Sequence, residues 1–237
     1  MIEDILAEHG LTPDIDDAAL GAAYESCPAV HKSVIKNALA FAHALAQTGS
    51  EPVSETRRFG HVEQCVTHER LEWAFFAVDL RRFPLTAICS AMVLAVAAKV
   101  ETVVVHVTGP VSEALLCGCD LLSVDQIFTH EPGPVLDAVQ SGGHGVVVDL
   151  AGLDLRAPSL LRPDPDRYGV AIHLPDSDYV QAYRAVTVET LPRSQSYIAY
   201  GGEPGVAPVV MAERFLGCWP WDVLSVATFR RTTSMFV

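Results

Sequence analysis

Between residues 34 and 46, apolar side chains recur at helical spacing: Val34, Ile35, Ala38, Leu39, Ala42, Leu45 and Ala46. With Pro28 near its entry and Gly49 just past its end, this spacing predicts an amphipathic helix. A polar stretch over 49–58 follows. The run WAFFAV at Trp73–Val78 then has the aromatic and β-branched make-up of a buried strand. Helix-like and strand-like runs alternate beyond it: a helix over 85–99, a strand over 102–107, a helix over 111–119, a strand over 125–129, a helix over 135–140 and a strand over 146–150. Such alternation, with strands apolar on both faces, predicts an α/β fold in which helices cover a parallel, Rossmann-like sheet. Ligands of open sheets of this kind sit beyond the carboxyl ends of strands, which singles out the loops 79–84, 106–110, 129–134 and 149–153.

The pattern weakens after residue 156. Three prolines in APSLLRPDPDR, residues 157–167, predict a linker or a surface loop. A strand over 168–174 and a helix over 177–188 come next, then a glycine- and proline-rich stretch to residue 210 that reads as irregular. Apolar positions over 221–231 suit a short helix. The expected organisation is a helical segment (1–58), an α/β core (59–156), and a last part (157–237) made of a linker, a residual strand-helix unit and a tail. No internal repeat is found.

Composition narrows the function classes. Half of the 237 residues are apolar and 19% are charged, which is globular and not disordered. The longest apolar stretch, 85–100, is interrupted by Thr86, Ser90 and Lys99 and is too short to span a bilayer. The acidic start MIEDILAEHG is unlike a secretory signal, so the expected location is cytoplasmic. A net charge of −13 speaks against a nucleic-acid backbone or an anionic membrane as partner. The six cysteines are scattered; Cys117 and Cys119 form a C-x-C without a second Cys or His pair at metal-site spacing.

Candidate chemistry is sparse. His106 and His130 end successive strands and would lie on the carboxyl edge of the sheet, where they could form a ligand site with Asp79 and Glu131. The alternative is that they are strand-end polar groups facing solvent. The cluster Gly142, Gly143, His144, Gly145 follows a helix instead of preceding one, so it reads as a turn and not a phosphate loop. Trp219, Pro220 and Trp221 fit either core packing or an exposed anchor for a partner.

Several stretches, in order, resemble the histidinol dehydrogenase family, zinc-dependent enzymes that oxidise histidinol to histidine with two NAD molecules. DIDDAALGAAYESCPAVHKSVIKNALAFAHALAQ is similar to the family's opening helices, with Phe41, His43 and Gln47 as counterparts of its Phe-His and Gln. ERLEWAFFAVDLRRFPLTAICSAMVLAVAAKVETVVV resembles the strand, turn, helix and strand of its cofactor-side domain. EALLCGCDLLSVDQIFTHEPGPVLDAV matches the helix and the Val-Asp-x-Ile strand after it, and VETLP with RFLGCWPWDVLSVATFRRTTSM is similar to two closing segments. Family members are longer, and the missing material would fall mainly between residues 150 and 168 and after 237. The resemblance implies a sheet of the histidinol dehydrogenase and aldehyde dehydrogenase type, and a possible homodimer.

What it implies about chemistry is loss. The family's Glu-His acid-base pair falls on Glu189 and Thr190, and threonine has no group titrating near neutral pH. Glu189 remains a candidate catalytic residue or else a solvated charge. The zinc-binding Gln-Ala-Glu-His segment has no equivalent, Ser196 before Tyr197 stands where an Asp ligand would be, and the last His lies in the missing tail; zinc is disfavoured. The family's glycine turns fall on Ala77, Val78 and Asp79 and on Glu131 and Pro132, so NAD stays open only as a ligand bound in another manner. The expected function is a catalytically silent scaffold for a small ligand or a partner. The alternative is an NAD-dependent oxidoreductase of histidinol or a related amino alcohol with a rearranged site.

Overall fold

The computed structural model describes residues 1–48, 54–187 and 196–236. Its centre is β3 (Trp73–Val78), all six residues of which are buried. Around it a five-stranded, all-parallel sheet forms with β4 (Thr102–Val107), β5 (Gln126–Phe128), β6 (Gly145–Asp149) and β7 (Leu160–Leu161), in the order β5-β4-β3-β6-β7. The chain fills one side of β3, then crosses to the other, so a topological switch point lies between β3 and β6.

Side chains alternate along β3 between two cores. Ala74, Phe76 and Val78 join the larger one, while Trp73, Phe75 and Ala77 join the smaller. Over the larger core lie α2 (Asp17–Ser26), α3 (Ala29–Thr48), α4 (Leu85–Ala97), α5 (Glu113–Leu121) and α7 (Asp178–Val186). The smaller is covered by α1 (Ile2–Glu8) and α6 (Pro132–Ser141). Helix α4 is apolar all round, and every residue from Leu85 to Ala95 is buried, as expected of a central helix. Asp16, Ser112 and Ser177 cap α2, α5 and α7 by accepting a backbone N–H from the residue three further on.

A second parallel sheet holds β8 (Gly169–Ile172), β9 (Ser196–Tyr200) and β10 (Val209–Met211) in the order β10-β9-β8. The segment 218–221 is threaded between this sheet and α4, and hydroxyls take its carbonyls: Tyr200 donates to Cys218 O (2.7 Å), Ser90 to Trp219 O (2.6 Å) and Tyr197 to Pro220 O (2.8 Å). Trp219 is fully buried, and both Trp219 and Trp221 pack on Tyr168, so this aromatic cluster is core and not an anchor.

A third sheet is antiparallel: β1 (Ser54–Phe59), β2 (Val62–Arg70) and β11 (Arg230–Phe236), in the order β1-β2-β11.

Several expectations are corrected. Part of the polar stretch over 49–58 is strand β1, because a hairpin turning at Gly60, with φ of 63°, pairs it with β2. Within the proline-rich 157–167, Leu160 and Leu161 add an edge strand beside β6, a position that proline neighbours tolerate. The glycine-rich stretch to 210 carries β9 and β10. The tail forms a single 3-10 turn, Val226–Phe229, and then strand β11. The glycine cluster is a turn, as expected: Gly145 lies under the Trp73 indole, where any Cβ would collide at 1.9 Å, and Trp73 Nε1 donates to Gly143 O.

Among the described residues there are seven α-helices, and none is long and apolar enough to cross a membrane. All six cysteines are free thiols.

Candidate functional site

Register places the chemistry at the switch point. Ala77 of β3 pairs with His106 of β4 on one side and with Asp149 of β6 on the other. Residues in register on parallel strands point to one face. His106 and Asp149 therefore flank the small Ala77 on the α1 and α6 side, with Asp79 and Thr108 following at the carboxyl edge.

Each carboxylate here is already held. Asp79 is buried and accepts from Arg81 N, Nε and Nη2, the last at 2.9 Å. Asp149, fully buried, takes the backbone N–H of Ala151, Gly152 and Leu153 on one oxygen and Arg162 Nε at 2.6 Å on the other. Arg162 also donates to Leu153 O. A fully buried carboxylate needs this many donors to offset its desolvation. Gly152 has φ of 73°, and a Cβ there would meet the Arg82 guanidinium at 2.7 Å; a Cβ at Gly109 would meet that of Arg81 at 3.6 Å. Arginines thus cover the glycines at the strand ends.

His106 is buried and stacked on Phe75, with ring centroids 6.4 Å apart. Its Nε2 lies 2.5 Å from His130 O. A carbonyl only accepts, so Nε2 carries the proton and Nδ1 offers a lone pair. Nδ1 is buried without a partner, as is Thr108 Oγ1 on the same edge.

The four expected ligand residues are only partly brought together. His106 meets His130 through the latter's carbonyl. The His130 side chain is 82% exposed and turns to Asp14, with Nδ1 2.7 Å from Oδ2. Thr129 also donates to Asp14, and these hydrogen bonds outweigh burial, which alone would push the other way, and hold the Asp14 carboxyl below its ordinary value. Glu131 is exposed at the N-cap position of α6 without a side-chain cap bond. Glu189 and Thr190 lie outside the described residues. Sequence reasoning missed Arg81, Arg82 and Arg162; the arginine pair directly after a strand was the available signal, whereas Arg162 lay in a segment read as linker.

Neither group implied by the resemblance fits these residues. Among the described residues no set of three His, Cys, Asp or Glu side chains could hold a metal ion. The first turn after β3 holds Asp79 and Arg81, with side chains where glycine would let a pyrophosphate approach. A separate cavity of about 350 Å³, lined by Ala42, Leu45, Ser90, Leu94, Trp219 and Trp221 among others, has no titratable side chain on its wall.

These features define an α/β protein with a Rossmann-like sheet. No protein-family model matches the chain. No curated protein matches it. Solved structures do: among 24 matching chains is a histidinol dehydrogenase from Elizabethkingia anophelis, with a TM-score of 0.58 and 8% identity over 99% of this chain and 79% of that one. At that identity the likeness is one of fold.

Proposed function

We propose that the chain is a histidinol dehydrogenase-like protein that does not carry out the dehydrogenase reaction and instead binds a small anion-bearing molecule at the switch-point edge. The observation that carries this reading is the pair of buried carboxylates, Asp79 and Asp149, each held by an arginine, in the place where a dinucleotide would need bare backbone. Those bonds fix Arg81 and Arg162 at the mouth of the crevice, with side chains 66% and 44% exposed. Behind them the unpartnered His106 Nδ1 and Thr108 Oγ1 offer a ligand two neutral polar contacts. Fold leaves function open, so the support comes from these side chains and not from the neighbour's activity.

Thermal shift against inorganic phosphate, imidazole carboxylates, histidinol, nucleotides and NAD tests it, because a ligand of the folded state raises the melting temperature by mass action. An anionic ligand is expected to stabilise the wild-type chain and to lose that effect in Arg162→Ala and His106→Ala. Reduction of NAD with histidinol by the purified protein would sink the reading.

A further inference from the structure

We infer that β1 is the contact strand of a two-fold dimer, in which two copies pair antiparallel through this edge and merge their three-stranded sheets into one of six. The inference does not depend on the ligand site proposed above, since none of the switch-point residues lies in the antiparallel sheet.

The sheet is under-supported on its own. Of its three strands only Val66 is buried, and that residue belongs to neither core. Small sheets need a covered face or further strands to be stable in water. Strand β1 is also an edge: it pairs with β2 and with no other strand among the described residues, leaving one row of N–H and C=O groups unpaired.

The charges on β1 choose the partner. The strand reads Ser54, Glu55, Thr56, Arg57, Arg58, Phe59. A continuous pleat puts directly opposed residues on the same face, so an isologous antiparallel pairing must be centred on a residue and not between two. Centred on Arg57, the pairing would oppose two guanidinium groups. Centred on Thr56, it opposes Glu55 of each copy to Arg57 of the other and Ser54 to Arg58, with no like charges across. Glu55 and Arg57 already share a face, where they form an ion pair at 2.8 Å within the strand, so each can turn to the other copy without changing face. The strand is thus complementary to itself in one register. On the other edge, β11 has only Arg230 and Arg231 as charged residues and carries no acid to answer them.

Sedimentation velocity over a concentration series tests the proposal. The wild-type chain should dimerise. Glu55→Arg and Arg57→Glu should each raise the dissociation constant by about tenfold or more, since the two-fold counts every substitution twice. An equimolar mixture of the two variants should recover the dimer, because one copy then offers two arginines and the other two glutamates. Thr56→Lys leaves the Glu55–Arg57 pair intact and guards against a folding artefact. Alone it should be monomeric, and mixed with Thr56→Glu it should dimerise. A wild-type chain that is monomeric throughout, or variants that dimerise as well alone as in the mixtures, would overturn the assignment.

Discussion

The five-stranded parallel sheet and the three-stranded antiparallel one are built from strands of similar length, yet their surroundings differ completely. Strand β3 buries all six of its residues between two cores. Strand β2, with nine residues, buries one. Both satisfy their backbone hydrogen bonds, but such a bond contributes only about 1 kcal/mol net, whereas a large buried apolar side chain contributes about 1.5 to 3 kcal/mol. The number of paired residues is therefore a poor guide to where stability resides, and burial a good one. Substitutions placed in each sheet test that contrast.

The largest effect is expected at Phe76, which is fully buried and stacked on Phe229 with ring centroids 5.7 Å apart. Phe76→Ala should cost about 4 kcal/mol of unfolding free energy in denaturant titration, through lost transfer energy and the cavity left behind. Asp149→Ala should follow at about 3 kcal/mol, because it leaves the Arg162 guanidinium and three N–H groups without their acceptor. A loss below about 1 kcal/mol at either site would undo the view that the parallel sheet dominates.

Alkali should act on the same core. Burial pushes the Cys119 thiol up from 9.0 to about 12, with the neighbouring Cys117 adding to it, and burial alone does the same for Cys218. A folded-state value raised in this way contributes stability that is intact below the unfolded value near 9 and is lost as pH rises toward 12. For the fully buried Cys119 the slope is about 1.4 kcal/mol per pH unit. Denaturant midpoints should thus fall steadily above pH 9. By contrast Cys65, half-buried in the antiparallel sheet, should react with a thiol reagent in the native protein, while the other five wait for unfolding.

The same contrast governs what the sequence could show. The parallel sheet was legible because both faces of its strands are buried, so runs such as WAFFAV and TVVVHV stand out without a partner being known. The antiparallel strands SETRRF and VEQCVTHER carry no comparable signal, since strands wet on both faces have little reason to alternate. Strand β11 pairs with β2 across more than 160 residues, a distance over which composition says nothing. At the site, His106 and Asp79 were found because they end strands, but the role of Asp149 depends on Ala77 separating it from His106, which only register reveals. Arg162 reaches Asp149 from a proline-rich segment whose short strand was invisible locally.

A smaller effect should appear where the amino-terminal segment meets the sheet. Asp14 accepts from Thr129 and His130, and its carboxyl is held below 3.8. Its contribution is present above that value and disappears as pH falls through the lowered one. Since the pair is solvent-screened, Asp14→Asn should cost only about 0.5 kcal/mol at neutral pH, and nothing once wild type and variant are compared in acid.

The smallest effect is expected at Phe236, the counterpart of Phe76 in chemistry and its opposite in setting. Phe236 pairs with Gln64 at the far end of β11 and is 65% exposed, so removing its ring opens no cavity and returns little apolar area to water. Phe236→Ala should shift the unfolding free energy by less than about 0.5 kcal/mol when both proteins are diluted until monomeric. That condition matters, because at higher concentration the sheet would be held by its dimer partner as well as by its own chain. A cost near that of Phe76→Ala under dilute conditions would mean that the antiparallel sheet is covered in the monomer, and the division between a buried and an exposed sheet would have to be abandoned.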